Sequence, residues 1–537
     1  MSRPLDAFYL PPSLAGTVET TTQRFGPPPE PLEIRLPLLT PEQLAHWIEH
    51  LREARAKRLA SRPIAATLRS LDRVVQRYLD PRSKQRREAI DALGRTGTFS
   101  APMVSQALDD AFQPLAHGGL SRWLTAELGS ARALDRPMPG PGGTRRRAHG
   151  PEWMLQIYAG NVPTVPVLPL FSALLLKSAL VAKTAAQEPL FAPLLASAIA
   201  DVDADLGACM AVVWWKGGQA ELDRAAIDRA PAVLAFGGES AVTSIAHAAR
   251  PGAAVVLQGP KVSVGYIGAG AMRRGSLPSL AARAAHDVAL YDQQGCLSPH
   301  AFYVERGGMV TPVAFAEALG AALDAAASRL PRREPVLAEA ASVQLSRAQA
   351  ALEAATGRVT RVLESERGTE WTVIAEGSAR FEPGPRHRVV RVHAVKDVEE
   401  FARAVAGAEQ FIESIGVEER GSRRERLESR LSELGIPRIT AVGSLQRPTP
   451  LGTHGGVARL LPFVRWTTLE KGSAPRREAA APKPKPKSVS RVKPKPKLKS
   501  RPKPKSRPKP KPKPKASASK SSARGSRRGA SRPRRSR

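Results

Sequence analysis

The stretch WMLQIYAGNVPTVPVLPLFSALLLKSALVAKTAAQEP, residues 153–189, decides the fold. Its first residues are apolar enough for a buried strand, and a turn containing Gly and Asn follows. The apolar run 165–179 has the length of a helix, and the short run 180–184 is typical of a second buried strand. A strand, a helix and a strand in this order predict a right-handed crossover and a parallel sheet covered on both faces.

The same alternation continues on the C-terminal side of this stretch and predicts an α/β protein. It becomes less regular after residue 270. The predicted helices are 191–203, 221–230, 240–249, 279–294, 312–330 and 397–412, and the predicted strands are 211–218, 232–238, 253–259 and 389–395.

The residue pattern on the N-terminal side of this stretch is different. Residues 1–40 are rich in proline, which predicts a segment that wraps over the surface. Residues 41–59 have apolar side chains at helical spacing behind a Thr-Pro start, which predicts a helix. The helical pattern continues to about Glu127.

The charge is concentrated at the C-terminal end. Residues 471–537 contain 27 Lys and Arg against one acid, Glu478, so most of the formal charge of +33 lies there. Alternating Lys and Pro cannot bury apolar surface, which predicts a disordered basic tail. Such a tail could bind nucleic acid or another polyanion without sequence preference, or serve only as a solubilising segment.

Two cysteines, Cys209 and Cys296, exclude a disulfide framework and a cysteine-rich metal site. The N-terminus lacks the pattern of a signal peptide. The apolar run 162–176 contains three prolines and is shorter than the roughly 20 residues of a membrane span. These features predict a cytoplasmic protein without a transmembrane segment.

The sharpest local feature is DQQGCLSPH, residues 292–300, which places Cys296 in a glycine-preceded turn after a predicted helix. A thiol in such a turn could be a nucleophile. A buried structural cysteine is the alternative, since free Cys is among the most buried residue types. The segments that precede it favour the nucleophile.

The order of these segments resembles the aldehyde-dehydrogenase superfamily, and most closely its LuxC-type acyl-CoA reductase branch. The resemblance covers about residues 90–470. It implies a parallel-sheet cofactor domain followed by an α/β catalytic domain with Cys296 as the nucleophile.

Residues 158–189 resemble the superfamily's strand, Asn-containing turn, helix and Lys-ending strand. By this resemblance the Asn161 amide helps to hold an oxyanion, and Lys183 reaches the adenosine ribose of the cofactor. NAD-dependent relatives usually carry a glutamate where Ala186 stands here. Without that carboxylate a 2′-phosphate meets no repulsion, so NADPH is predicted rather than NADH.

The stretch LAFGGESAV, residues 234–242, resembles the superfamily's strand and turn at a helix N-terminus. Gly237 and Gly238 would let a pyrophosphate approach backbone N–H groups, and Ser240 could cap the helix. The usual motif has Ser or Thr at the position of Gly238.

The next strand normally carries the glutamate that activates water in hydrolytic aldehyde dehydrogenases. Leu257 and Gln258 stand there instead. Without that base the acyl-enzyme would be released by hydride or thiol transfer rather than by hydrolysis. The resemblance therefore implies reduction of an acyl-CoA or acyl-protein thioester with a fatty acyl chain.

Four residues have weaker matches. Glu382 in FEPGP could match the glutamate that binds the nicotinamide ribose, although a surface glutamate is the alternative. His286 and His300 flank Cys296, and His454 lies in a segment that resembles the family's C-terminal return across the active-site mouth. His286 or His300 could tune the thiol or donate a proton, and His454, as a loop histidine, could simply be solvated. No role is assigned to any of them, because the superfamily does not require an active-site histidine.

The predicted domains follow from these matches. Residues 1–270 would hold an N-terminal helical segment and the nucleotide-binding domain, and 271–445 the catalytic domain. Residues 446–470 would form the return segment and 471–537 the tail. Two other functions are kept open: a polyanion-binding protein on a degenerate enzyme scaffold, and an ordinary aldehyde-oxidising dehydrogenase. A homo-oligomer is also left open.

Overall fold

The computed structural model describes residues 4–16, 18–26 and 31–470. The predicted disordered tail, 471–537, and its expected role in binding polyanions lie outside these residues. Within them, no helix is both long and apolar enough to cross a membrane.

The N-terminal part consists mainly of helices that precede the central sheets. Its elements are β1 (Leu5–Asp6), α1 (Pro12–Ala15), β2 (Glu19–Phe25), β3 (Leu32–Leu38), α2 (Pro41–Arg58), α3 (Ile64–Leu79), α4 (Lys84–Arg95), α5 (Ala101–Phe112), α6 (Gly119–Leu128), β4 (Met138–Pro139) and β5 (Arg145–His149).

The described part of residues 1–40, which the sequence predicts to wrap over the surface, contains a three-stranded sheet in the order β1-β3-β2 that the sequence did not indicate. Leu32, Ile34 and Leu36 alternate along β3 and are buried, which is the period-2 pattern of a half-buried strand. Pro37 is tolerated in the middle strand because the pairing with β1 ends at Arg35.

The predicted helix over 41–59 is confirmed as α2. The Thr40 hydroxyl accepts a hydrogen bond from the backbone N–H of Gln43, at 3.2 Å. The Gln43 side chain accepts one in return from the backbone N–H of Thr40, at 3.0 Å. This capping box satisfies two N–H groups that a helix start would otherwise leave unpaired.

The first large sheet is built from alternating strands and helices, as the sequence predicts. The elements are β6 (Trp153–Ile157), α7 (Val167–Leu175), β7 (Ala179–Lys183), α8 (Phe191–Val202), α9 (Ala204–Gly207), β8 (Met210–Val213), α10 (Ala220–Ile227), β9 (Ala232–Phe236), α11 (Glu239–Ala248) and β10 (Ala254–Gln258).

These five strands are all parallel and lie in the order β10-β9-β6-β7-β8. The chain starts in the middle at β6, moves outward to β8, and then returns to the other side at β9. The strand order therefore reverses between β6 and β9. Ligands of open α/β sheets bind at such a switch point, outside the carboxyl ends of the strands.

The second large sheet has seven strands in the order β13-β14-β15-β12-β11-β16-β17. Only the β13–β14 pairing is antiparallel. The elements are β11 (Val262–Ile267), α12 (Leu277–Ala289), β12 (Pro299–Glu305), α13 (Pro312–Arg329), α14 (Leu337–Ala355), β13 (Val359–Glu364), β14 (Thr372–Glu376), β15 (Val389–Val395), α15 (Val398–Val405), β16 (Ile412–Glu418), α16 (Gly421–Glu433) and β17 (Ile439–Ala441).

The change from the first sheet to the second falls between Gln258 and Val262. Strand β11 pairs with β12 and β16 of the second sheet, so it lies with the half that carries Cys296 although it precedes residue 270. After β17 the chain runs back to the first half, where β18 (Arg465–Leu469) pairs antiparallel with β5. This return brings residues of the segment 446–464 to the carboxyl end of β10 in the first sheet and to the amino ends of β12 and β16 in the second sheet.

Candidate active site

A cavity of about 550 Å³ lies where loops of the two sheets and the return segment meet. Asn161 follows β6 and Gly237 follows β9, so both lie at the switch point of the first sheet. Gln258 ends β10, and Cys296 precedes β12 of the second sheet. All four line the cavity. The structure thus brings the predicted nucleophile, the predicted oxyanion donor and the predicted phosphate turn into one space.

Cys296 follows a turn whose backbone conformation is unusual. The three residues Tyr291, Asp292 and Gln293 have φ values of 59°, 50° and 64°. Residues with a side chain rarely adopt this left-handed region, which costs on the order of 1 kcal/mol for each. Such a turn persists only where its surroundings hold it.

Buried polar contacts hold this turn. Asp292 forms an ion pair with Arg388 at 2.7 Å, and both side chains are shielded from solvent. The Gln293 amide donates to the carbonyl groups of Pro299 and Val389, at 2.8 and 2.9 Å. The loop that carries Cys296 is therefore tied to the starts of β12 and β15.

Asn161 is placed beside the loop that carries the thiol. Its Nδ2 donates to the Gln294 carbonyl at 2.9 Å, two residues before Cys296. An amide nitrogen carries two hydrogens, so one of them stays available for another acceptor. This arrangement fits the predicted role as an oxyanion donor, because the donor is uncharged and already oriented.

The turn after β9 presents an open helix N-terminus. Gly238 is the N-cap residue of α11, and no side chain caps the first turn. The prediction that Ser240 caps this helix is therefore wrong: the chain enters the helix one residue earlier, so Ser240 already lies inside it. A Cβ at Gly238 would meet only open space. The uncapped N–H groups fit a phosphate group.

Three predicted cofactor residues, Lys183, Ser240 and Glu382, do not line the cavity that holds Cys296. Lys183 ends β7, and its Nζ lies 5.1 Å from the centre of the Trp215 ring. Burial lowers the pKa of Lys183. Glu382 pairs with Arg391 and Arg380, each at 3.1 Å, and so belongs to an ion cluster of the second sheet.

His454, to which the sequence assigns no role, contacts the Cys296 thiol. Its Nε2 lies 3.8 Å from the Cys296 Sγ. Burial, together with the charge of Glu413, raises the pKa of the Cys296 thiol to about 12. Burial and the cations Arg459 and Lys261 lower the pKa of His454 to about 3. Both groups are therefore neutral near pH 7.

A charged group that was not predicted from the sequence lies near the thiol. Glu413 of β16 is almost fully shielded from solvent and lies 3.6 Å from the Nζ of Lys261. Its Oε1 accepts a hydrogen bond from the Gly455 N–H at 2.8 Å. A lone acid within the apolar stretch FIESIGV could have drawn attention to this position, because buried carboxylates need partners.

The other two histidines lie differently. His300 is buried at the start of β12 and lines the cavity, whereas His286 is on α12 and does not. Burial lowers the pKa of each to about 4. Cys209 is buried between α9 and β8, outside the cavity.

Solved structures share this architecture. Aldehyde dehydrogenase 21 from Physcomitrella patens, in complex with succinate, has a TM-score of 0.63 at 13% identity and covers 87% of this chain and 98% of its own. A mutant of aldehyde dehydrogenase C from Pseudomonas syringae, complexed with NAD⁺ and octanal, has a TM-score of 0.61 at 15% identity, covering 86% and 96%. The fold is that of aldehyde-dehydrogenase-like oxidoreductases.

The profile of the acyl-CoA reductase (LuxC) family matches residues 59–466. The chain belongs to this family of aldehyde-forming oxidoreductases, which confirms the resemblance seen in the sequence. A long-chain acyl-protein thioester reductase from Aliivibrio fischeri is 27% identical over 348 residues, 64% of this chain and 69% of that protein. The protein of the same name from Photorhabdus luminescens is 32% identical over 234 residues, 43% and 48% respectively. The family and the fold imply a nicotinamide cofactor.

Proposed function

We propose that this chain reduces fatty acyl thioesters, carried by CoA or by a protein, to aldehydes with NADPH. The observation that carries the proposal is the meeting of the Cys296 thiol, the Asn161 amide and the open N-terminus of α11 in one cavity. The names of the relatives, which are long-chain acyl-protein thioester reductases, support the substrate class.

In the proposed reaction the Cys296 thiol is the nucleophile. The Cys296 sulfur attacks the thioester carbonyl, and the Asn161 amide and the Cys296 backbone N–H stabilise the oxyanion that develops. The substrate's own thiol leaves, and the acyl group remains on Cys296 as a thioester. The bound nicotinamide supplies the hydride that reduces this acyl group. Collapse of the resulting thiohemiacetal then releases the aldehyde and frees Cys296.

The cavity walls suit an acyl chain. Apolar side chains from the switch-point loop and the first turn of α7 line one side of the cavity, among them Val162, Val165 and Leu168. Each buried methylene of a ligand contributes about 0.8 kcal/mol. A series of acyl-CoAs of increasing length, assayed with NADPH by nucleotide absorbance and by aldehyde trapping, tests the activity and its preferred length together.

We expect NADPH to be used in preference to NADH. Lys183 ends β7 and Ala186 follows it, and neither presents a carboxylate to a ribose 2′-phosphate. Ala186→Glu is the matched variant: its carboxylate should repel the phosphate and reduce the preference by about tenfold, or about 1.4 kcal/mol. Steady-state kcat/KM values for the two nucleotides measure this. A tenfold advantage of NADH in the unmodified enzyme contradicts it.

With aldehyde and NADP⁺ but without CoA, we expect little free acid. Gln258 cannot act as a base, since its amide has no basic atom and donates to the His454 carbonyl at 3.1 Å. Glu413 is engaged by Gly455 and Lys261. The assay quantifies acid by chromatography with and without added CoA. Rapid formation of acid without CoA would mean that Glu413 or another group activates water, and would favour an aldehyde-oxidising dehydrogenase.

A further inference from the structure

We propose that His454 is the acid–base partner of Cys296. Its Nε2 takes the thiol proton as the sulfur attacks and returns that proton to the departing thiol of the substrate. The inference rests on the proposed function, because it concerns the same acyl transfer. It adds a catalytic residue from the return segment, 158 residues away from the nucleophile along the chain.

A tight turn fixes the histidine. The backbone N–H of His454 donates to the Val457 carbonyl and the N–H of Val457 donates back, both at 3.0 Å. The two residues between them, Gly455 and Gly456, have φ values of 60° and 79°. Positive φ at both central positions is the signature of a type I′ turn, which glycine adopts without strain. The imidazole therefore projects from a rigid two-residue hairpin rather than from a loose loop.

Two side chains fasten this turn to the cavity wall. The Gln258 amide donates to the carbonyl of His454, at 3.1 Å. The Glu413 carboxylate accepts from the next backbone N–H, that of Gly455, at 2.8 Å. The peptide group between His454 and Gly455 is thus hydrogen-bonded at both its carbonyl and its N–H, by residues from two different sheets. Gln258 and Glu413 are positioning residues in this arrangement.

The ring itself is also packed. Its centre lies 5.5 Å from that of Phe236, with an angle of 39° between the planes. Phe236 ends β9, the strand that leads into the predicted phosphate turn. The contact restricts rotation of the imidazole and keeps Nε2 directed at the sulfur, because an aromatic neighbour fills the space on one side of the ring.

The charge state of the pair explains why a base is needed. Burial raises the pKa of the Cys296 thiol to about 12, so the sulfur carries its proton at pH 7. Burial lowers the pKa of His454 to about 3, so the ring is neutral and its Nε2 can accept a proton. Burial is the largest cause of both shifts. The charged groups that also contribute are Glu413, Lys261 and Arg459, which face the pair from β16, the β10–β11 connection and the return segment. The proton must move while the new carbon–sulfur bond forms.

Protons and electrons balance over one catalytic cycle of acylation and reduction. In acylation, the Cys296 S–H bond breaks, the proton goes to Nε2, and the bond between sulfur and the acyl carbon forms. The substrate's carbon–sulfur bond then breaks, and the imidazolium protonates the departing thiolate. In reduction, a bound nicotinamide would supply the hydride, a two-electron reductant for the acyl carbon, and the carbon–sulfur bond to Cys296 then breaks as the aldehyde leaves. The Cys296 thiolate regains one proton from solvent through His454.

The test is the pH dependence of acylation in the full-length chain. Rapid mixing with an acyl-CoA, without nucleotide, and mass spectrometry of the intact protein follow the acyl group on Cys296. The wild-type rate constant should be nearly flat between about pH 6 and 9, since neutral His454 is the base. In the His454→Asn variant, the acylation rate constant at pH 7 should be at least about 10²-fold lower than in the wild type. It should rise about tenfold for each pH unit, because without the base only the ionised thiol reacts.

A matched control and a second variant keep the result unambiguous. His117 is exposed and has a φ of 50°, which Asn tolerates, so His117→Asn should behave as wild type. His454→Ala should regain part of its acylation rate with added imidazole, which a merely structural role would not permit. If either His454 variant misfolds, the role of His454 is tested by the solvent deuterium isotope effect on wild-type acylation. A value of roughly 2 or more is expected if the proton is transferred in the rate-limiting step.

The outcomes separate the two proposals. If the wild-type chain takes up no acyl group at Cys296, the proposed function fails. If the wild type is acylated but His454→Asn keeps the flat profile and its rate, only the role of His454 is overturned. An isotope effect near unity on a rate-limiting acylation step overturns it as well.

Discussion

Replacing Cys296 with Ala abolishes reduction of acyl thioesters, with an expected loss on the order of 10³-fold or more. The reason is that no other thiol of the described residues lies in the cavity, and removal of a covalent nucleophile costs on this scale in other acyl-transfer enzymes. The measurements are NADPH oxidation with an acyl-CoA and the mass of the acylated protein.

Nucleotide binding by Cys296→Ala should survive, because the substitution leaves the turn after β9 intact. Cys209→Ser is the matched control. Cys209 is fully buried between α9 and β8, where its thiol cannot meet substrate. It should retain wild-type kcat even if the buried hydroxyl lowers stability. A Cys296→Ala enzyme that still reduces acyl-CoA at a comparable rate would remove Cys296 from the mechanism.

Replacing Arg388 with Met should lower the free energy of unfolding by about 3–5 kcal/mol. The Arg388 side chain is fully buried and pairs with Asp292 at 2.7 Å. Its loss leaves Asp292 buried without its countercharge. The guanidinium also donates to the Leu330 carbonyl at 2.8 Å, so a second buried acceptor loses its partner. Denaturant unfolding, followed by circular dichroism, measures the change.

The same variant should slow acylation of Cys296. Asp292 lies in the left-handed turn that leads to the nucleophile, and the Asp292–Arg388 pair is one of the contacts that hold this turn. The control is the double variant Asp292→Asn, Arg388→Met. Asn tolerates the φ of 50° at this position and carries no charge, so much of the lost stability should return. A loss below about 1 kcal/mol in Arg388→Met would show that the pair contributes little.

Part of the site could be proposed from sequence because its residues stand in motifs that resemble those of a known family and occur in the same order. Asn161 and Gly237 come soon after strands with continuous apolar runs, and parallel strands bring their carboxyl ends to one edge. The placement of Cys296 after a helix and before a strand could be seen in the same way. Ser240 was misassigned as the cap, since the exact start of a helix depends on backbone geometry that residue preferences leave open.

His454 and Glu413 could not be paired with Cys296 from sequence. They lie in the return segment and in β16, and the approach of each to the thiol depends on how the two sheets and the return segment pack together. The Gly-Gly turn after His454 indicates a tight hairpin, but nothing local indicates what the hairpin faces. The left-handed backbone conformation of the three residues 291–293 could not be predicted either, because none of them is a glycine.

The sequence by itself determined the succession of strands and helices, the parallel first sheet and the start of helix α2. These follow from apolar periodicity, turn residues and side-chain caps, which act over a few residues. The family was indicated separately, by the resemblance of several motifs in the same order. The tertiary structure alone decided the sheet at the N-terminus, the place of β11 in the second sheet and the contact between Cys296 and His454. These features depend on burial and hydrogen bonding between segments that are far apart in the chain. The Cys296 thiol and the His454 imidazole, for example, are 158 residues apart. The pattern of neighbouring residues therefore does not indicate such contacts.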